Sequence, residues 1–510
     1  MVAVVENLQK QVREKDEIID QLDGQLKRAQ RDIERMKSQL DDLLRRMYGR
    51  RSEKLDIHQL LMDVVIIDAD GQVEAPAPPP VETAPKTRRK GKANGRRPLP
   101  DHLPRHEIIV PVSEEDKICK ITGQPRPFLG YEETEKLQYI PETLRVNVYK
   151  REKYGSPAGA EEGGVITAPK RPELLDRCLA DTGLLAQIAV AKFEDHQPLY
   201  RQQKILHRQG VDVSRKTMAG WMGRLAEKLD PLSCRIAELI LEGDVVHHDD
   251  TPVKMLDPGA GKTKETRFWV AVSGNGPPLV HFTFTTNRSQ EGPIRFFRNY
   301  RGTVMCDEYA GYPNIKGVRL LSCWAHARRY FDQAKITEPA FAQTVLQAIA
   351  KLYRIETKLK ACSPEERQRV REEESRKQLE EIFTLLASPM WRPQSPISKA
   401  VNYALKHQVT LSRFAEDERL PIDNNPAERA IRRVAIGRKN WIFIGSETGG
   451  ESAAVYLTLF ATCQANRVNA WAWLHDVICR LSELPEEKLD ELLPHLWIQS
   501  HPEARLPEIN

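Results

Sequence analysis

No Cys-x-x-Cys pair occurs anywhere in the 510 residues; the eight cysteines stand singly at 119, 178, 234, 306, 323, 362, 463 and 479. A disulfide framework or a four-cysteine zinc site has no paired ligands to build on, so reduced thiols and a cytosolic setting are expected. Long apolar runs are missing as well: none approaches the ~18 residues that a membrane-crossing helix needs. The first stretch, MVAVVENLQKQVREKDE, has neither the basic start nor the cleavage site of a secretory signal. Charge of one sign is scarce, since 77 Lys and Arg against 72 Asp and Glu leave +5. Any affinity for nucleic acid must therefore come from clustered cations rather than from the bulk balance.

What is there begins with a repeat. Val5, Val12, Ile19, Leu26, Ile33, Leu40 and Met47 fall seven apart, and Leu8, Leu22, Ala29, Met36 and Leu43 occupy the second apolar position, with Lys15 in the remaining slot. Branched residues at the first position and Leu at the second favour a parallel two-stranded coiled coil, so residues 1–50 are expected to form a dimerisation helix. From Val5 to Met47 it would span about 64 Å. Residues 51–105 read as a linker. EAPAPPPVETAP is stiff and will not pack. The cations Lys86, Arg88, Arg89, Lys90, Lys92, Arg96 and Arg97 follow with no acid among them, a pattern suited to tracking a phosphate backbone.

Residues 106–170 alternate in the manner of strands and are expected to form a small antiparallel module. Only Cys119 offers a metal ligand of weight there, so no zinc is expected. Residues 171–238 read as helical, with a helix-turn-helix outline: a helix near 198–208, Gly210 as its stop, and Ser214 as cap of a second helix with apolar Met218, Trp221 and Leu225. Arg215 and Lys216 at its start are placed as a recognition helix would present them to DNA.

Residues 239–460 carry the acids. GDVVHHDDTPVKM is a buried-strand pattern that runs into Asp249 and Asp250; FWVAVSG and LVHFTFTT follow as strands, then a helical stretch, then GTVMC ending on Asp307. The order β-β-β-α-β with acids on the first and fourth strands is the outline of an RNase H-like domain. Converging carboxylates need cations, and hard oxygen ligands suit Mg²⁺. A third acid is offered by Glu428 in IDNNPAERAIRR. Asn425 and Pro426 make the same residue a candidate capping-box glutamate, and Asp423 is a competing carboxylate. The stretch from about 333 to 421 is too long for a simple domain of this kind and reads as a helical insertion, with Ser363, Pro364 and Glu366 opening one helix. Residues 461–510 form a C-terminal helical segment. The fold class expected is thus multidomain α/β: an RNase H-like catalytic core with a helical insertion, preceded by a coiled coil and small DNA-binding-type modules.

GRRPLPDHLPR, DHQPLYRQ, HHDDTPV, CDEYAGY, CWAHARRYFD, IDNNPAERAIR and GRKNWIFIGSETGG together resemble the DDE transposases of the insertion sequence 66 family. The resemblance implies a metal-binding catalytic triad of Asp249, Asp307 and Glu428, with His326, Arg329 and Arg432 in support and Arg438 and Lys439 on phosphates. It implies two Mg²⁺ ions, replaceable by Mn²⁺, ~3.5–4 Å apart, and cleavage and strand transfer of double-stranded DNA at transposon ends and target. It also implies terminal inverted repeats as binding sites, companion transposition proteins as possible partners, and a place in the bacterial cytosol on the nucleoid. One departure stands out. Family members commonly carry a cysteine-paired zinc-finger-like module at 106–170, where this chain has Thr122 and the Gly155–Ser156–Pro157 run.

If residues 1–48 are the dimerisation element, deleting them should give a folded protein of lower mass by light scattering at the same concentration. An unchanged mass would remove that role.

Overall fold

The computed structural model describes Leu99 and residues 104–121, 123–140, 143–156, 164–257, 259–307, 309–387 and 391–507. The expected coiled coil, the cations from Lys86 to Arg97, Thr122 and Pro157 lie outside the described residues. The chain divides into two units, residues 1–95 with 334–339 and residues 96–333 with 340–510, and the second carries both sheets.

The first sheet comprises β1 (Arg105–Val110), β2 (Phe128–Ile140), β3 (Thr143–Tyr154) and β4 (Ile166–Thr167). β2 and β3 form one long antiparallel hairpin. β1, however, pairs parallel with β3, from Arg105 opposite Val146 to Val110 opposite Arg151. The module is therefore mixed rather than antiparallel. The connection after β1 carries the chain back across the sheet before β2 starts, so β1 lies along the free edge of β3 in the same direction.

Three helices follow: α1 (Thr182–Phe193), α2 (Leu199–Arg208) and α3 (Arg215–Glu242). Ser214 Oγ accepts the Thr217 N–H at 3.1 Å, which caps α3 as the sequence suggests. Met218, Trp221 and Leu225 are buried, and so are Leu229, Leu232, Ile236 and Ile240 further along. α3 is thus a 28-residue core helix rather than a short recognition helix. Its apolar face shares one core with Val246 and Ala271 of the second sheet. The expected boundary at 238 falls inside it, because a helix buried along its length cannot be divided between two cores.

The second sheet contains β5 (Val245–Asp257), β6 (Lys262–Ser273), β7 (Val280–Thr285), β8 (Thr303–Cys306) and β9 (Arg319–Ser322), with the short α4 (Glu291–Phe296) between β7 and β8. The strand order is β7-β6-β5-β8-β9. β5, β6 and β7 are antiparallel neighbours, while β8 and β9 run parallel to β5. β5 is central and buried on both faces from Val245 to Asp249, beyond which one face opens.

After β9 come α5 (Trp324–Ala334), α6 (Pro339–Lys358), α7 (Pro364–Val370), α8 (Arg376–Ala387), α9 (Pro396–Lys406) and α10 (Gln408–Ser412). Ser363 Oγ accepts from Glu366 N at 3.3 Å and Pro364 opens α7. The helix does not run on without a break: a π-turn at Arg371–Ser375 separates α7 from α8. The wider turn rotates Arg371 inward. It meets Glu356 with two bonds, of 2.9 and 2.6 Å, and donates to the Phe414 and Asp417 carbonyls at 2.7 Å each.

The chain then forms α11 (Asn425–Trp441), α12 (Glu447–Ala465), α13 (Ala470–Arg480) and α14 (Pro494–Ser500). The boundary expected at 460 lies within α12. This helix covers the open edge of β7. Thr458 Oγ1 accepts the Phe282 N–H at 2.9 Å, and Thr462 Oγ1 accepts the Val280 N–H at 3.2 Å. Two side chains thereby satisfy an edge that would otherwise offer itself to another strand. None of the described helices is long and apolar enough to cross a membrane.

Close approach of α12 depends on Gly450, where a Cβ would fall 2.6 Å from the Phe284 ring. Gly450→Ala should therefore cost about 1–3 kcal/mol. Urea unfolding would show this as a lower midpoint at unchanged slope, and an unchanged midpoint would mean that the ring moves aside freely.

Candidate functional site

The site forms where β5 and β8 part. Their last paired residues are His247 and Met305. Two residues further on, Asp249 and Asp307 come level at the C-terminal side of the parallel pair. Ligand atoms of Asp249, Asp250 and Asp307 all lie within 4.8 Å of one another. The three carboxylates differ in what surrounds them.

Asp250 is held by cations. Arg267 Nη1 donates to its Oδ2 at 3.0 Å, and Arg288 donates to Oδ1 from Nε and Nη2 at 3.0 and 2.7 Å. Arg288 also reaches Asp307 Oδ2 at 3.6 Å and packs over the Tyr309 ring at 4.6 Å. Asp307 Oδ1 accepts the Tyr309 N–H at 3.0 Å. Burial pushes the Asp307 carboxyl above its ordinary range, and Asp250 adds to this while Arg288 and His326 oppose it. Asp249 is buried at 9 % exposure, and its Oδ1 accepts the Asp250 N–H at 2.8 Å. Among the described residues no cation pairs with it. Burial first, then the charges of Asp307, Asp250 and Glu428, push it up to about 8. A buried carboxylate surrounded by acids lacks a counter-charge, and a divalent cation is the group that supplies one.

Glu428 occupies the next position along. Its ligand atom, with those of Cys323 and His326, forms a second group within 4.8 Å. Arg329 Nη2 donates to both Glu428 oxygens, at 3.2 and 3.0 Å, and His326 Nε2 lies 3.7 Å from Oε1. The structure therefore brings Asp249 and Asp307 together. Glu428 stands beside them, close enough for its charge to act on Asp249 but tied to Arg329.

The capping reading of this turn is corrected. Asn424, not Asn425, precedes the helix, and its side chain does not cap it. Asp423 supplies the local bonds, from Asn425 N at 3.1 Å and Asn425 Nδ2 at 2.7 Å. Glu428 is thus left facing Arg329 and His326.

Asn424 is the residue that sequence reasoning missed. Fully buried, it donates from Nδ2 to the His248 carbonyl at 3.0 Å and accepts from His247 Nδ1 at 3.1 Å. Its backbone N–H reaches Cys323 Sγ at 3.1 Å. Asn424 thus ties the strand bearing Asp249, through its carboxamide, and Cys323, just before the helix bearing His326 and Arg329, through its backbone N–H, to the start of the helix bearing Glu428. Only the doublet Asn424–Asn425 in an otherwise charged stretch marks it in the sequence. Behind it, His248 Nδ1 lies 2.8 Å from the Tyr312 hydroxyl, and burial holds this imidazole neutral, down to about 3.

The remaining candidates spread outward. Arg432 and Lys439 are exposed on α11, as are Arg215 and Lys216 at the start of α3. Arg438 is already engaged, donating to Thr251 Oγ1 and the Pro252 carbonyl.

A carboxylate cluster at the ends of adjacent parallel strands, flanked by a glutamate on a later helix, defines the class to which this protein belongs. Family comparison makes it particular. The chain belongs to the IS66 family of transposases, whose model matches residues 177–452. The IS66 C-terminal element matches residues 458–495, and a model described as transposase C of IS166 homeodomain matches 35–108. Uncharacterized protein y4qI of Sinorhizobium fredii is 32% identical over 491 residues, 92% of this chain and 90% of that one. Uncharacterized protein y4jD of the same organism is 33% identical over 78% of this chain and 81% of its own length. Among solved structures, the Mos1 strand transfer complex matches 30% of this chain and 59% of that chain, at 12% identity and a TM-score of 0.11.

The raised Asp249 carboxyl sets a pH dependence. A carboxyl raised on folding binds more protons in the native state than in the unfolded one. Without metal, its contribution makes stability fall as pH rises from the ordinary carboxylate range toward about 8. Thermal unfolding in chelator should show this fall, added Mg²⁺ should reverse it most at high pH, and Asp249→Asn should abolish both. A Mg²⁺ response that persists in Asp249→Asn would place the cation elsewhere.

Proposed function

We propose that this protein is a DDE transposase that cleaves DNA at transposon ends and joins it to a target, with Asp249, Asp307 and Glu428 as the catalytic carboxylates. The observation that carries the reading is the contrast at the acid cluster. Asp250 is bound by two arginines, while Asp249 is buried against other acids and, among the described residues, has no cation of its own. The order β7-β6-β5-β8-β9 with β5 central supports an RNase H-like core.

Asp249 and Asp307 would hold divalent metal, Mg²⁺ or Mn²⁺, and Glu428 would complete the site by exchanging Arg329 for it. When bound, such ions supply Lewis-acid activation of water or of a DNA 3′-hydroxyl and stabilisation of the leaving oxygen. Glu428 accepts from Arg329 at both oxygens, as expected of an acid near two others. His326 lies 3.7 Å from Glu428 and counters the rise of the Asp307 carboxyl. Arg432 and Lys439, with Arg429 beside them, supply cations for phosphates next to the carboxylates. Arg438 instead fixes α11 to β5. The linker cations from Lys86 to Arg97 would add sequence-independent affinity, Arg215 and Lys216 would meet DNA at the start of α3, and residues 1–48 would pair protomers so that two ends are handled together. Terminal inverted repeats are the DNA sites the reading assigns, and the bacterial cytosol is the setting.

Metal-dependent nicking of supercoiled DNA followed by a strand-transfer assay tests this. Asp249→Asn, Asp307→Asn and Glu428→Gln should each lower cleavage by at least about 10²-fold while DNA retention on a filter stays the same. Asp423→Asn should keep cleavage. Cleavage retained in Glu428→Gln but lost in Asp423→Asn would reassign the third carboxylate, and nicking without joining would make the protein a nuclease of the same fold.

A further inference from the structure

The end of α11 carries a feature that metal binding and hydrolysis do not use. The helix stops at Trp441, and Ile442 has φ 65° and ψ −51°, a region that a β-branched side chain rarely enters. Phe443 N donates to the Trp441 carbonyl at 2.7 Å, closing a tight three-residue turn with Ile442 at its centre. The strained turn presents apolar side chains to solvent: Ile442 is 54% and Phe443 42% exposed. The turn delivers Ile444 onto β5, where it exchanges backbone bonds with Lys254 and Leu256, but Ile442 and Phe443 themselves stay outside the core, and such strain collects at working positions.

The turn does not stand alone. Arg429, Arg432, Ile436 and Lys439 lie on the exposed stripe of α11 that leads from Glu428 to it. Behind the turn opens a cavity of about 540 Å³, lined among others by Phe193, His196, Trp441, Phe443 and Lys192. Lys192 has no hydrogen bond or ion pair among the described residues, its ammonium lies 4.9 Å from the Phe193 ring centre, and burial pushes it down to about 8. The far wall is α3 at Gly220 and Gly223. A Cβ at either glycine would meet nothing within 4 Å, so no internal packing requires them. Two glycines in mid-helix, facing open space, leave the wall thin.

We propose that this turn and cavity receive one unstacked nucleotide of the DNA substrate, with Ile442 and Phe443 entering the base stack and the displaced base lying against Trp441. The inference rests on the transposase reading. Apolar side chains that enter a base step unstack it, and a displaced base is held by aromatic faces. The cavity has the size of a small-molecule site, and its unpaired Lys192 complements the phosphate that travels with the base. The basic stripe of α11 would carry the duplex backbone from the carboxylates to the turn, so the distorted step would lie close to the bond being cut.

The test uses the full-length protein and two short duplexes of the same arbitrary sequence, one fully paired and one with a single unpaired 2-aminopurine. The wild type should bind the bulged duplex about tenfold more tightly, the factor expected of one stacked base. Phe443→Ala, Ile442→Gly and the cavity-filling Gly223→Leu should each bring the ratio near one, with affinity for paired DNA within about twofold of wild type. Ile442→Gly should also unfold at no lower temperature than wild type, since glycine accepts the positive φ without strain; a drop would make the turn a packing element. A ratio that survives in all three variants overturns the proposal. A wild-type ratio near one, with metal-dependent nicking intact, overturns it while leaving the transposase reading standing. Failure of the wild type to bind or nick any DNA removes both.

Discussion

The geometry of the carboxylates depends on one buried amide. Asn424 uses its carboxamide on the β5 backbone and on His247, and its N–H on Cys323. Each of these groups is buried, so each would be costly to leave unpaired. The three segments that carry Asp249, His326 with Arg329, and Glu428 come from distant parts of the chain. One residue joins them, with its carboxamide on β5 and its backbone N–H on Cys323, just before the helix of His326 and Arg329. The neutral imidazoles of His247 and His248 complete a buried polar seam that runs on to the Tyr312 hydroxyl.

Charge then sorts the acids. Four carboxylates, Asp249, Asp250, Asp307 and Glu428, lie within reach of one another, and the protein compensates only some of them. Arg267 and Arg288 take Asp250; Arg329 takes Glu428; Arg288 touches Asp307 at longer range. Asp249 is left. The lack of a counter-charge among the described residues leaves its proton affinity raised. The neighbouring arginines set the limits of the cluster and keep its repulsion from spreading through the sheet.

Membership of the IS66 family agrees with this arrangement, since the family match spans β5 through the first turn of α12 and so encloses all four acids. The scaffold around them is a continuous core. α3 and α12 cross what sequence patterns would treat as domain borders, and α12 closes the β7 edge through Thr458 and Thr462. A rigid frame of this kind can hold a strained turn such as that at Ile442, which a looser framework would let relax.

Local chemistry was enough for much of this. The run of strands β5 to β8, the position of Asp249 and Asp307 relative to them, the Ser214 and Ser363 caps and the Gly210 stop follow from period and from short-range hydrogen bonding, which adjacent residues decide. Several features were not legible because they are set by residues far apart in sequence. The parallel pairing of β1 depends on where a connection crosses the sheet. The π-turn at Arg371 depends on Glu356 and two distant carbonyls. Glu428 pairs with Arg329 and lies near His326 rather than closing a box with its own helix start, and Asp250 rather than Asp249 is paired by arginines on β6 and the loop after β7. Neighbours in sequence determined the elements; only the packed chain decided which charges met and which were left unpaired, because Coulomb interactions and burial act through space.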